Sequence, residues 1–165
     1  MNFKVKGGVY PTMITPYKNG EIDYEAVEKL VEWYWNEGCD APTIRKRIEI
    51  CKGSNLKIFN ANAQTMLESW RDGAYGYCGV MANFHPSLYV RLLKENNDVL
   101  QGYLGLSAML ENLTYPCCAK YFLDKHVGIK MEIYARSADE KNFTDYQKSC
   151  IDQFAILDKA IAERI

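Results

Sequence analysis

Each stretch of this chain that reads as a β-strand is separated from the next by at least one helix, and no strand signal follows Ala82. Strands spaced by helices must pair in parallel, through right-handed crossovers. The order is strand-helix, helix, strand-helix, strand-helix, then helices alone.

The individual signals are local. Val9, Tyr10, Thr12, Ile14 and Thr15 are β-branched or aromatic and favour a strand. Pro16 stops it, and Lys18-Asn19-Gly20 marks a turn. Asp23 is a good N-cap for a helix from Tyr24 to about Glu37, on which Val27, Leu30, Val31, Tyr34 and Trp35 follow helical spacing and Gly38 is the stop. Thr43 caps a helix from Ile44 to Lys52. A short strand follows at Leu56–Asn60, then a helix from Ala63 to Asp72. The run Gly76–Ala82 has the length of a buried strand. Asn83-Phe84-His85 reads as a loop, and Pro86 suits the first turn of a helix through Asn96. Further helices are expected over Val99–Leu113, Lys120–Lys125 and Phe143–Ile165, with a turn at Thr114-Tyr115-Pro116 and a polar loop at Ala138–Asn142.

Composition narrows the function classes. Lys plus Arg number 20 and Asp plus Glu 21, so the net charge of −1 offers no basic surface for nucleic acid. No apolar run approaches the ~18 residues of a membrane span. The first eight residues lack an apolar signal core, so the expected location is the cytoplasm. The six cysteines, Cys39, Cys51, Cys78, Cys117, Cys118 and Cys150, fit no zinc spacing and are expected as buried thiols. No metal and no cofactor is expected.

Three blocks of residues carry a resemblance. The first is Gly8 to Asp40: a strand ending Ile14-Thr15-Pro16-Tyr17, then Asn19-Gly20-Glu21-Ile22-Asp23, then a helix closing at Glu37-Gly38-Cys39-Asp40. The second is Leu56 to Leu93, with Ile58-Phe59-Asn60-Ala61-Asn62, Gly73-Ala74-Tyr75-Gly76-Tyr77-Cys78-Gly79-Val80-Met81-Ala82-Asn83 and Pro86. The third is Tyr115-Pro116-Cys117-Cys118-Ala119-Lys120 with Gly128-Ile129-Lys130. In this order they resemble the dihydrodipicolinate synthase / N-acetylneuraminate lyase family of class I aldolases. The first block looks like the family's opening strand and helix, the second like its seventh and eighth strand-helix units, and the third like its C-terminal helices.

The resemblance implies a partial (β/α)8, or TIM, barrel: three parallel strands in the order 7-8-1 with surrounding helices and a C-terminal helical region. The expected division is residues 1–97 for the partial barrel (1–40 the first unit, 41–97 a helix and the last two units) and 98–165 for the helical region. The family's Gly-Thr-Thr-Gly-Glu loop, its tyrosine motif after strand five and its Schiff-base lysine on strand six have no counterpart here. Asp40 runs directly into Ala41-Pro42-Thr43-Ile44-Arg45-Lys46-Arg47-Ile48, which looks like the helix after the lysine strand. This reads as an internal deletion, from a truncated gene, an artefact of gene prediction or deliberate design. Strands one and seven then become open edges, so homo-oligomerisation or aggregation is expected.

As a family member the chain would be a lyase that makes or breaks bonds beside a small keto acid such as pyruvate, through an imine. Without its lysine it is expected to be inactive, and no catalytic residue is assigned. The alternative is a dead remnant acting as an oligomeric binding or complementing fragment. Strand-end residues that could still contact a substrate are Thr15, Asn60, Asn62, Cys78 and Gly79. Each also reads as an ordinary strand-end or core residue. Lys57 and Lys120 read as solvated amines with packed stems. Tyr10, Tyr17 and Tyr77 read as packing phenols, and Trp33, Trp35 and Trp70 as packing indoles. His85 offers a general base in principle, but its neighbours in sequence supply no carboxylate at a defined spacing, so it reads as structural. His126 reads as solvated.

Overall fold

The computed structural model describes residues 8–9, 14–36, 59–71 and 74–164. Several sequence expectations lie outside them: the Thr43-capped helix, Tyr10, Lys57, Cys39, Cys51 and the Asp40–Ala41 junction. The side chain of Trp35 also lies outside.

Three two-residue strands, β1 (Gly8–Val9), β4 (Phe59–Asn60) and β5 (Gly76–Tyr77), form one sheet in the order β1-β5-β4. Both pairings are parallel, with Gly76 opposite Gly8 and Phe59, and Tyr77 opposite Val9 and Asn60. The Cys78 amide donates to the Asn60 carbonyl at 3.0 Å, carrying the β4–β5 ladder one step further. A separate antiparallel hairpin joins β2 (Tyr17–Lys18) to β3 (Glu21–Ile22). Its turn places Asn19 at φ 53° and Gly20 at φ 79°, the left-handed pair that an Asn-Gly turn provides at little cost.

Six α-helices are described: α1 (Tyr24–Asn36), α2 (Met66–Arg71), α3 (Pro86–Glu95), α4 (Asp98–Ser107), α5 (Cys117–Phe122) and α6 (Asp145–Arg164). Asp23 caps α1, its Oδ1 accepting the Ala26 amide at 3.1 Å. The buried stripe of α1 is Ala26, Leu30 and Tyr34, each four residues apart. Val31, expected on that stripe, is 38% exposed, so the helix is turned by about one position from the face its larger apolar residues suggest.

The run Gly76–Ala82 is not a single strand. It is extended only at Gly76–Tyr77, and a 3-10 turn occupies Val80–Asn83. Tyr77 explains the switch. Its ring is fully buried and lies across Gly79, which leaves the next residues no straight path.

The helices after β5 are fixed by their termini. Pro86 opens α3, and Asn96 closes it in the left-handed conformation at φ 55°. Asn97 then caps α4, its Oδ1 accepting the Val99 and Leu100 amides at 2.9 and 3.1 Å. A cap of this kind contributes about 1 kcal/mol. Gln101 on α4 reaches the start of α2, accepting from the Leu67 amide at 2.8 Å and donating to the Ala63 carbonyl at 2.9 Å. After a 3-10 turn at Ala108–Asn112, α5 continues as a π turn over Leu123–Val127 and stops at Gly128, φ 87°. Thr144 and Gln147 form a reciprocal capping box at α6, with bonds of 3.3 and 2.9 Å.

One apolar cluster joins β1, β5 and the helices, from Val9 and Leu30 through Tyr77 and Leu92 to Cys117, Ile151 and Phe154. Its aromatic centre is Phe84, Phe122 and Phe154, whose ring centroids lie 5.3 to 5.9 Å apart. Phe84 follows β5 and its 3-10 turn, and the other two lie on α5 and α6, so the C-terminal helices and the sheet share a core. Cys117 and Cys118 are buried in this core, and burial pushes the Cys118 thiol up to about 12. No described cysteine forms a disulfide. Trp33 and Trp70 pack against the core from its edge. Among the described residues no helix is long and apolar enough to cross a membrane.

Candidate ligand-binding site

Four of the five strand-end residues singled out from the sequence stand near one another. Asn60 ends β4 with its side chain fully engaged: Nδ2 donates to the Thr65 carbonyl, Thr65 Oγ1 and Ser69 Oγ at 3.2, 3.1 and 2.8 Å, and Oδ1 accepts the Asn62 amide at 2.7 Å. The Asn62 side chain accepts from the Thr65 amide and hydroxyl at 3.0 and 3.1 Å. Together the two asparagines shape the turn into α2. Cys78 is half-buried beside them, and Gly79 is buried under Tyr77.

Thr15 stands apart from these four. It is exposed and lines a cavity of about 230 Å³, together with Tyr17, Tyr115, Lys120, Arg136 and Ser137 among others. None of Asn60, Asn62, Cys78 and Gly79 lines it.

Lys120 departs most from its sequence reading. It is 1% exposed, not solvated. Its neighbours on α5, from Cys117 to Phe122, are mostly apolar and sit in the core, so the side chain is held inside and meets open space at the cavity. Nζ donates to the Tyr134 carbonyl at 2.5 Å and lies 5.0 Å from the Tyr17 ring centroid, a cation–π contact. Among the described residues no carboxylate is within ion-pair distance of it. Burial lowers its pKa from the usual lysine value.

Tyr115 is the second polar group in the cavity wall, and a buried relay positions it. Tyr34 donates to Asn83 Oδ1, and Asn83 Nδ2 donates to the Val80 carbonyl at 2.9 Å and to the Tyr115 hydroxyl oxygen at 3.3 Å. Asn83, which reads in sequence as loop, thus links α1 to the cavity. Burial pushes the Tyr115 phenol well above its ordinary value, so it stays protonated and can donate.

His85 has the carboxylate partner that its sequence neighbours do not supply. Its Nδ1 lies 2.7 Å from Asp158 Oδ1, contributed by α6, and Tyr103 donates to the same oxygen at 2.9 Å. Ser107 Oγ is 3.5 Å from His85 Nε2. The types match a nucleophilic triad, but Ser107 is buried and donates to the Leu104 carbonyl at 2.9 Å, and neither cavity described here includes it. The group acts as a clamp between the segment after β5 and α4 and α6.

Elsewhere, Tyr17 packs edge-on against Tyr134, and Tyr77 stacks on Tyr89 at 4.0 Å. His126 meets Asp152 at 2.8 Å on the surface. A wider, open groove of about 710 Å³ mixes Glu132 and Glu140 with Lys141 and Lys148, so its charges do not select one sign of ligand. No group of three metal-ligating side chains occurs among the described residues.

No protein-family model matches the chain. A stretch of 31 residues is 52% identical to part of the 4-hydroxy-tetrahydrodipicolinate synthase of Roseobacter denitrificans. The same holds for the 4-hydroxy-tetrahydrodipicolinate synthase of Ruegeria pomeroyi, again 52% over 31 residues. The likeness is local. Each match covers 19% of this chain and 11% of the relative's length. A segment of the chain is therefore similar to these synthases.

Proposed function

We propose that the chain derives from a barrel enzyme of the dihydrodipicolinate synthase / N-acetylneuraminate lyase family, keeps that barrel's first, seventh and eighth strands side by side, and does not carry out the family's imine chemistry by itself. The observation that carries this reading is the strand order. In an eight-stranded barrel the last strand closes against the first. Here the N-terminal β1 pairs with β5, with β4 on the far side of β5, and both pairings are parallel. That is the arrangement left when the strands between the first and the seventh are removed. The local identity to two synthases supports the same ancestry.

The loss of activity follows from the amine. Class I aldol chemistry needs a lysine nucleophile with a lowered pKa at the strand ends. The described residues at the ends of the parallel strands β4 and β5, Asn60, Asn62, Cys78 and Gly79, include no amine. Incubation with pyruvate and borohydride, read by intact mass, should give no covalent adduct on the folded chain. A stoichiometric adduct mapped to one lysine would overturn the reading.

A second reading, a non-catalytic fragment that associates with its own kind or with complementing strands, is favoured by one surface. Val99, Leu106 and Met109 are 73%, 72% and 66% exposed on α4 and the turn that follows it. Sedimentation velocity should then show a dimer or larger species, and a monomer at all concentrations would remove this reading.

A further inference from the structure

The 230 Å³ cavity contains groups that neither the strand-end site nor the proposed ancestry uses. We propose that it is a binding site for a short organic carboxylate, held by the Lys120 ammonium and the Tyr115 hydroxyl, with Arg136 and Ser137 closing on the outer end. This goes beyond the proposed function and does not depend on it, because only Thr15 is common to this cavity and the strand-end set.

The donors in the cavity outnumber their acceptors. The ammonium of Lys120 has three protons, and among the described residues one acceptor, the Tyr134 carbonyl, is bonded to it. A cation buried to this degree is costly unless it is paired. Glu132 is the carboxylate that acts on Lys120 electrostatically, yet its Oε1 accepts the Asn19 amide at 3.1 Å, out on the hairpin turn. The Tyr115 oxygen already accepts from Asn83, which leaves its own proton for a further acceptor. Arg136 is exposed and forms no ion pair among the described residues, so its guanidinium fork is free to bind a carboxylate bidentately. Thr15 and Ser137 add hydroxyls to the wall.

Size and shape narrow the ligand. A volume of 230 Å³ corresponds to about eight waters at ~30 Å³ each. This suits a chain of three or four carbons. Two cationic heads, one buried and one at the surface, match a molecule with a carboxylate at each end. The rings of Tyr17 and Tyr115 and the side chains of Ile14 and Pro116 provide apolar walls for the carbons between. Binding would also supply the missing acceptor for Lys120, and its lowered pKa would return toward the ordinary value.

The test is isothermal titration calorimetry on the full chain with sodium malonate, sodium succinate and inorganic phosphate as separate probes. At least one dicarboxylate should bind saturably at one site, and more tightly than phosphate. Arg136→Gln, a change on an exposed side chain, should weaken it about tenfold, the usual effect of losing one charged contact. Lys120→Met should abolish it, with far-UV circular dichroism as the check on folding. If Lys120→Met does not fold, Arg136→Gln decides. The proposal is overturned if neither dicarboxylate binds the folded chain, if phosphate binds more tightly than both, or if Arg136→Gln leaves the affinity unchanged.

Discussion

Gly79→Ala destabilises the chain by about 3 kcal/mol, at the upper end of the cost of overpacking a core, and lowers Tm by roughly 6–12 °C. The backbone at Gly79, φ −83° and ψ 160°, suits any residue, so the cost is steric and not conformational. A Cβ there would come closer than 3.0 Å to the Tyr77 hydroxyl and ring and to the Ala61 carbonyl. Neither can retreat. Tyr77 is fully buried and stacked on Tyr89, and Ala61 is fixed between Asn60 and Asn62, whose side chains bond into the turn. Adding Tyr77→Phe should not rescue the variant, because the ring carbon and the Ala61 carbonyl remain in the way. Thermal denaturation followed by circular dichroism measures the effect. A change within 0.5 kcal/mol, the range of an ordinary surface substitution, would mean that Tyr77 does not lie over Gly79.

His85→Ala should cost a similar amount, about 3 kcal/mol, for a different reason. The imidazole is 2% exposed and packs edge-on against Tyr89 and Phe154, at 5.4 and 5.5 Å. Removing it opens a cavity and leaves the Asp158 carboxylate, 15% exposed, with Tyr103 as its remaining donor. Loss of the clamp also leaves α6 held to the segment after β5 by the packing of Phe84 on Phe154 without the His85–Asp158 bond. His85→Asn, which can place an amide donor near the former Nδ1, should lose less than half as much. Urea denaturation of the two variants separates the effects. Equal losses would assign the whole cost to packing and none to the bond with Asp158.

These residues mark where the sequence is legible and where it is not. The start of α1 is written in Asp23, the hairpin turn in Asn19-Gly20, and the start of α3 in Pro86, because each device acts over a few adjacent residues. The buried face of α1 is less legible. Its stripe runs through Ala26, and a small side chain carries little weight in a pattern dominated by Val31. The break after Tyr77 was hidden in an apolar run, since hydrophobicity reports burial and not the path of the backbone. The one signal was Gly79, the residue over which a ring can lie.

The candidate site was legible only in part. Asn60 and Asn62 stand at a strand end as expected from their place in sequence, but their side chains are committed to the turn. Lys120 reads in the sequence as a solvated amine because lysine usually is one. The contrary signal is its setting, a short helix with Cys117, Cys118, Ala119, Phe122 and Leu123 around it. His85 and Asp158 are 73 residues apart, and no spacing rule connects them. Only the packing of α6 across the core does so.

The proposed ancestry rests on β1, β5 and β4 adjoining in an open parallel sheet. Cross-strand nuclear Overhauser contacts in solution test it most directly. Contacts are expected from the Gly76–Tyr77 backbone to both Gly8–Val9 and Phe59–Asn60, in parallel register. Contacts joining Gly8–Val9 directly to Phe59–Asn60, or an antiparallel pattern at either edge of Gly76–Tyr77, would contradict it.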